Sequence, residues 1–236
     1  MRALFTPRRR HDPELMDAPG LPEAEVADAY RVLRTVNRQF FGGRRPILRE
    51  MDRFLRENST SGEITLLDVG SGSGDLTRIA QAYLVSKGCP TRGMAVDRDP
   101  TAIRLAHQEG LQATLADALR LPFANQSIDI ITCVKFAHHF SGFSLNLLIA
   151  EMARVSRRRA IVLDIRRNWL AYAGFVAWSR VFTRNRLVRH DGPLSVLRGF
   201  IEPELWDLSR PQSDFSWSVR RYAGFQLALV GTRIHQ

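Results

Sequence analysis

Lysine is nearly missing from this chain. Lys87 and Lys135 are the only two, so almost all of its 34 basic residues are arginine. The formal net charge of +10 therefore comes from arginines spread along the sequence, with small clusters at Arg8, Arg9 and Arg10 and at Arg157, Arg158 and Arg159. No appended basic arm, RNA-binding module pattern or aromatic-interleaved basic strand is visible, so a nucleic-acid partner is not expected; an anionic lipid surface or an acidic partner protein stays compatible with the charge. Cysteine is equally scarce. Cys89 and Cys133 cannot form a disulfide framework, and Cys133 sits in an apolar strand as inert core. No Cys or His spacing of a zinc site occurs, so no metal is expected. Long apolar runs are also lacking: the longest, Trp169 to Trp178, is about half of what crossing a bilayer requires. Arg2 and the 8–10 cluster have no apolar segment behind them, which leads to an expected cytoplasmic location, with peripheral membrane contact open. Internal repeats and low-complexity tracts are absent, and the chain's oligomeric state is not readable from it.

What is present is an ordered α/β pattern of a length suited to one domain with a helical addition. Ile64, Leu66, Leu67 and Val69 read as a buried parallel strand, and Leu76, Ile79, Ala80, Tyr83 and Leu84 follow at helical spacing. Between them Asp68 leads into Gly70, Ser71, Gly72, Ser73 and Gly74. Alternate glycines permit a sharp turn and close approach of a ligand to backbone, and the next helix offers its unpaired amides. A nicotinamide or flavin dinucleotide fingerprint would need glycine at position 75, where the chain has Asp75. The pattern D-x-G-x-G-x-G after a strand resembles motif I of the class I S-adenosylmethionine-dependent methyltransferases.

The downstream order agrees. Gly93 to Asp97 is a second strand ending in a carboxylate suited to two ribose hydroxyls, with Arg98 beside it, and Asp99-Pro100 opens a helix. A third short strand ends at Asp117-Ala118; a fourth, 127–134, runs into Lys135-Phe136-Ala137-His138-His139; a fifth spans 160–165. A closing hairpin joins 217–222 to 226–232. The resemblance covers about 60–165 well and the hairpin loosely. It implies an α/β, three-layer αβα sandwich with a seven-stranded, mostly parallel sheet, and S-adenosyl-L-methionine as cofactor with S-adenosyl-L-homocysteine as product. It further implies that Asp68, Gly70, Ser71, Gly72 and Gly74 hold the methionine end and that Asp97 and Arg98 lie at the ribose. Asp117 and Ala118 would read adenine, and Lys135 and Phe136 would border the sulfonium.

Residues 1–24, rich in proline and charge, are expected to be poorly ordered. Residues 25–60 carry two amphipathic helices, joined through Phe40, Phe41, Gly42 and Gly43, that in related enzymes form a lid; the glycines are equally compatible with a plain helix end. Residues 61–236 form the main domain, interrupted by an insertion at about 166–203. There Trp169, Tyr172, Phe175, Trp178 and Phe182 recur at helical steps, and such stripes are usually packing. Segments inserted here in the enzymes the chain resembles cap the acceptor pocket, which implies Trp169, Tyr172, Arg198 and Phe200 as substrate candidates.

A phenol or hydroxyl acceptor must lose its proton to be methylated, so His139, His190 and His138 are candidate bases, set against the bland reading of hydrogen-bonded structural histidines. The expectation is O-methylation, by in-line transfer, of a small aromatic, polyketide-like or lipid-like molecule. Two alternatives stay open: C-methylation of a quinone-type substrate, and a protein that binds the cofactor without catalysis.

Overall fold

The computed structural model describes residues 6–39, 42–58, 62–209 and 213–234. Phe40 and Phe41 of the expected lid link lie outside them, as do residues 1–5. In chain order the elements are α1 (Glu23–Arg38), α2 (Arg44–Glu57), β1 (Ile64–Val69), α3 (Asp75–Ser86), β2 (Thr91–Asp97), α4 (Pro100–Gln108), β3 (Gln112–Leu115), β4 (Ile128–Val134) and α5 (Gly142–Val155). There follow β5 (Ser156–Ile165), α6 (Trp169–Phe182), α7 (Arg186–Arg198), α8 (Glu202–Ser209), β6 (Phe215–Tyr222) and β7 (Gln226–Arg233).

The strands form one seven-stranded sheet in the order β3-β2-β1-β4-β5-β7-β6. The first five are parallel, and β7 inserts antiparallel between β5 and β6. Apolar side chains leave the central strands on both faces, as the continuous runs in β1 and β4 require. On one face Leu67, Val69, Ile131 and Cys133 pack with Leu148, Ile149 and Met152 of α5 and Leu205 of α8. On the other, Leu66, Ile130 and Ile161 meet Leu76 and Leu84 of α3 and Ile47, Met51 and Phe54 of α2. Each fully buried Leu or Ile contributes about 1.5–3 kcal/mol, which makes these two layers the main source of stability. The order reverses at β1 and β4, so the crevice at their carboxyl ends is where a ligand belongs.

Two expectations about the amino-terminal region need correction. α2 was grouped with α1 as a lid, but its apolar face is buried against the sheet. α1 alone joins the cap: Val26, Ala29 and Val36 share a small separate core with Ala171, Phe175, Leu187, Val188 and Val196 of α6 and α7. Gly192 makes this packing possible, since a Cβ there would lie 1.9 Å from the Phe175 ring. Residues 6–18, expected to be loose, form a strap tied across the cap. Arg10 N–H donates to the Leu197 carbonyl, Arg167 donates to the Pro7 carbonyl, and Leu15 and Met16 N–H groups donate to the Asp191 carboxylate. Their proline and charge content concealed this, because ion pairs and backbone bonds hold much of the strap, and Leu15 and Met16 add apolar packing on the cap core.

Several arginines that set the net charge have interior duties. Arg159 is fully buried with an ion pair to Glu57, and Arg167 pairs with Glu204. Arg9 lies over the Phe200 ring with its guanidinium carbon 4.3 Å from the centroid. Arginine's planar fork and weak hydration suit such sites better than an ammonium, which accounts for part of the bias against lysine.

Candidate functional site

A cavity of about 220 Å³ opens at the carboxyl ends of β1, β2 and β4, beneath α1, the strap and α7. Its donor-like half is built from the glycine turn. Gly70 and Gly72 have φ of +67° and +53°, a region costly for side chains with a Cβ. A Cβ on Gly70 would sit 2.1 Å from the Phe136 ring, and one on Gly72 would sit 3.1 Å from Tyr30. Gly74 serves the scaffold: it faces Leu111 and Ala106, and the cavity does not reach it.

Asp97, at the end of β2, accepts from Gly72 N–H at 2.8 Å and Asp99 N–H at 3.0 Å, which locks the turn to the strand edge. Tyr30 of α1 donates to Asp99 at 2.9 Å, closing the roof on this edge. Burial pushes the Asp97 carboxyl upward, against the two amide bonds that favour its charged form. Asp68 is buried on the cavity floor and accepts from Thr77 and Thr132 hydroxyls, each at 2.7 Å. Burial raises its pKa to about 6 in spite of those bonds, with the charges of Asp75 and Asp97 adding to the effect.

Asn37 of α1 bridges the roof to Asp75, donating at 3.2 Å, and accepts from the Lys135 ammonium at 3.3 Å. Lys135 ends β4 with φ +54°, an unusual conformation for a side-chain-bearing residue at the mouth of a cavity. Burial lowers its pKa to about 8, while Asp164 and Asp75 pull the other way.

The other half is lined by Glu14 and Asp17 of the strap, Phe136, His138 and His139 of the turn after β4, and Ser195 of α7, with Met16, Ile165, Phe175 and Val188 as apolar wall. His138 is buried; its N–H donates to Asp164 at 3.0 Å and its Nδ1 lies 2.8 Å from the same carboxylate. Burial alone would lower the His138 pKa, but the charge and hydrogen bond of Asp164, reinforced by Glu14, raise it to about 9. That direction favours the imidazolium form of His138 over the neutral form a base requires. The neighbouring His139 stacks on it with ring centroids 4.6 Å apart, and its Nδ1 is 3.1 Å from Asp17.

Ten of the residues singled out from sequence come together on this cavity: Asp68, Gly70, Ser71, Gly72, Asp97, Arg98, Lys135, Phe136, His138 and His139. Others do not. Asp117 is exposed and its carboxylate accepts from Leu119 N–H, so it caps its own turn; it and the buried Ala118 stand on the same sheet edge outside the cavity lining. His190 is half-exposed on α7 with its Nδ1 2.7 Å from Asp191, and it does not line the cavity. Trp169 and Tyr172 pack edge to face at the cap's outside, with Trp169 45% exposed. Phe200 is fully buried in the main core. Arg198 lies behind the site, donating to the carbonyls of His138 and His139 and to that of Asp12. Helical spacing identified the aromatic face of α6 but not which residue of it turns inward, and only Phe175 reaches the cavity.

The missed residues are Glu14, Asp17, Tyr30, Asn37, Asp75 and Asp164, most of them on the strap and roof. Asp164 carried a readable signal, a carboxylate near the end of the fifth strand beside the switch point. Glu14 and Asp17 carried none.

Residues 67–163 match the family profile described as "Methyltransferase domain". The human protein described as "Probable tRNA methyltransferase 9B" is 32% identical over 105 residues, which is 44% of this chain and 21% of that protein. The match therefore spans about a fifth of the length of that relative. Among solved structures, a SAM-dependent methyltransferase from Aquifex aeolicus superposes with a TM-score of 0.56 at 14% identity, over 91% of this chain and all of that one. The CurJ carbon methyltransferase gives 0.64 at 13% identity, over 91% of this chain and 62% of that one. Magnesium protoporphyrin IX methyltransferase from Synechocystis, solved with bound SAH, gives 0.56 at 12% identity over 81% and 83%. With its strand order and glycine turn, the chain has the fold of the class I S-adenosylmethionine-dependent methyltransferases, and its residues 67–163 are similar to their domain profile.

Proposed function

We propose that this protein transfers a methyl group from S-adenosyl-L-methionine to a small aromatic, polyketide-like or lipid-like acceptor, on oxygen. The observation that carries the reading is a single cavity that has the glycine turn and Asp97 at one end and the Glu14, His138 and His139 group in an apolar wall at the other. The residues fit the cofactor. Gly70 and Gly72 leave backbone open where any Cβ would collide, Ser71 Oγ is buried without a hydrogen-bond partner, and Asp97 offers carboxylate oxygens at the strand edge. When bound, the cofactor supplies an electrophilic methyl group on a sulfonium.

The protein's own part is positioning, proton handling and exclusion of water. Holding the acceptor in line with the methyl group supplies several kcal/mol through proximity alone. The His138 cation, fixed by Asp164, favours the ionised form of a phenol in the same half of the cavity. His139 is the candidate to take the phenolic proton, with Asp17 orienting its ring. α1, the strap and α7 form the roof that keeps water out. Cofactor reading by Asp117 and Ala118 would need the 117–120 turn to face the ring, because Asp117 is committed to Leu119.

The outward side of α6 exposes Leu170, Val181 and Phe182 beside Trp169, which supports contact with an anionic lipid surface as the source of a lipid-like acceptor. A second acceptor class is favoured by one observation: the relatives matched over the core are described as tRNA methyltransferases, so the expectation against nucleic acid loses its force. An unstacked RNA base would have to enter the same roofed cavity.

The test is incubation with methyl-labelled donor and, in parallel, phenolic and polyketide acceptors, quinones and bulk tRNA, with product masses and the position of the methyl group determined. Label on a phenolic oxygen supports the proposal. Label on carbon or on tRNA redirects it, and donor binding without any product favours the non-catalytic alternative.

A further inference from the structure

We propose that Glu14, His138 and His139 form a binding site for one divalent first-row transition-metal ion on the acceptor side of the cavity. Among the described residues this is the one group of three His, Cys, Asp or Glu side chains whose donor atoms converge, all within 4.8 Å of one another. His138 Nε2 lies 3.6 Å from Glu14 Oε1, and His139 Nε2 lies 3.5 Å from Glu14 Oε2. Both separations exceed a good hydrogen bond, and His138 Nε2 is buried with no hydrogen-bond partner. An orphaned imidazole nitrogen aimed at a buried carboxylate is costly unless something sits between them.

The outer ring of contacts is that of a ligand set. Each histidine gives its Nδ1 to a carboxylate, His138 to Asp164 at 2.8 Å and His139 to Asp17 at 3.1 Å. Such pairing fixes the ring, assigns the proton to Nδ1 and leaves Nε2 as the donor atom. Ser195 donates to Glu14 at 2.8 Å, and Arg198 holds the carbonyls of both histidines. The Arg198 guanidinium is 3.7 Å from Glu14 and opposes a cation. The negative charges of Glu14, Asp17 and Asp164 outnumber it. With an ion bound, the two Nε2 atoms are ligands and not acid or base, so His139 no longer takes the acceptor's proton and the ion's two positive charges favour the ionised acceptor oxygen instead.

Two imidazoles and one carboxylate suit zinc, iron(II), cobalt(II) or nickel(II) and do not suit magnesium or calcium, which take all-oxygen shells. The three donors leave coordination positions for water or an acceptor oxygen. The sequence showed no spacing for this site because Glu14 arrives on the strap and not next to the histidines.

Binding can be read without turnover, so failure of this proposal and failure of the methyl-transfer reading are separate results. The protein, stripped with chelator and dialysed, is titrated with zinc(II) by calorimetry and with cobalt(II) by visible absorption. One equivalent of each is expected, with cobalt ligand-field bands and no heat from magnesium(II). Zinc should also shift the Nε2 nitrogen resonances of His138 and His139. Glu14→Gln and His139→Ala should each weaken zinc at least tenfold, and Asp17→Asn by roughly tenfold. His107→Ala, on the exposed face of α4, should not change it. His138 variants are avoided because that side chain is packed on Asp164. Folded Glu14→Gln and His139→Ala proteins that bind as tightly as the parent, or a parent that binds no stoichiometric ion, overturn the proposal.

Discussion

In the donor-like half of the cavity, Gly70, Ser71, Gly72 and Asp97 come from two adjacent parallel strands and the turn between them, tied by backbone bonds such as Gly70 and Ser71 N–H to the Val96 carbonyl. In the other half, Glu14, Asp17, His138, His139 and Asp164 come from three distant segments and are held by charge. The first is an outcome of strand pairing and turn geometry. The second exists only when the strap, the β4 turn and α7 have docked. Perturbations of the turn should therefore be felt as fold stability and donor binding, and perturbations of the strap should leave donor binding unchanged.

Gly70→Ala should have the largest effect in the donor-like half. Its φ of +67° costs about 1–2 kcal/mol for a residue with a Cβ, and the 2.1 Å approach to Phe136 adds an overlap of about 1–3 kcal/mol. Denaturant titration should show a loss of about 2–5 kcal/mol by these two terms. Adding Phe136→Ala should return the overlap part but not the backbone part. Equal stability of Gly70→Ala and parent would mean that the turn is not held as described.

Arg198→Ala attacks the other half. Removing a buried guanidinium that donates to the carbonyls of Asp12, His138 and His139 should cost about 3 kcal/mol. The diagnostic readout is local: trypsin should cleave faster at Arg8, Arg9 and Arg10, while S-adenosylhomocysteine affinity stays within about twofold, well under the 1.4 kcal/mol of a tenfold change. Simultaneous loss of donor affinity would show that the halves are one cooperative unit.

What the sequence disclosed follows the same division. Strand–turn–helix periodicity, the glycines and Asp97 are local patterns, and they predicted the sheet and singled out residues that line one cavity. Where long-range docking decides, sequence reading went astray. His190 looked like a cap residue facing the acceptor, but α7 turns Asp191 and Ser195 inward. Phe200 looked like a pocket wall because it is aromatic, yet the isolated bridge of Arg166 with Phe200 delivers it to the core. The strap looked disordered because its stability comes from bonds to Arg167, Asp191 and Arg198, which lie on other elements.

Asp68 gives a pH test within the donor half. Its folded pKa is raised from 3.8 to about 6, so the folded state binds this proton more tightly than the unfolded chain. The associated stability is full below about pH 4 and is lost as pH rises through about 6, on the order of 3 kcal/mol over that window. Asp68→Asn should remove this slope from denaturation midpoints measured between pH 4 and 7. A variant with the parent's slope would place the titrating group elsewhere.

Asp97→Ala should weaken S-adenosylhomocysteine by about 1.5–3 kcal/mol, the range for a hydrogen bond to a charged group, as read by calorimetry. The same substitution also frees the amides of Gly72 and Asp99, so Asp97→Asn, which can keep one acceptor oxygen, should fall between parent and Ala. Unchanged affinity in both variants would remove Asp97 from the donor site.

The smallest effect is expected outside both halves, at Trp169. The side chain is 45% exposed and meets Tyr172 edge to face on the cap's outer surface, so Trp169→Ala should alter stability by less than about 1 kcal/mol. Donor affinity should not move, because no cavity-lining residue depends on the ring. Phe175, on the inward side of the same helix and part of the cavity wall, is the matched control: Phe175→Ala should cost about 3–5 kcal/mol as a core truncation. If the two substitutions behaved alike, α6 would be rotated relative to the packing described, and the acceptor half would have a different wall.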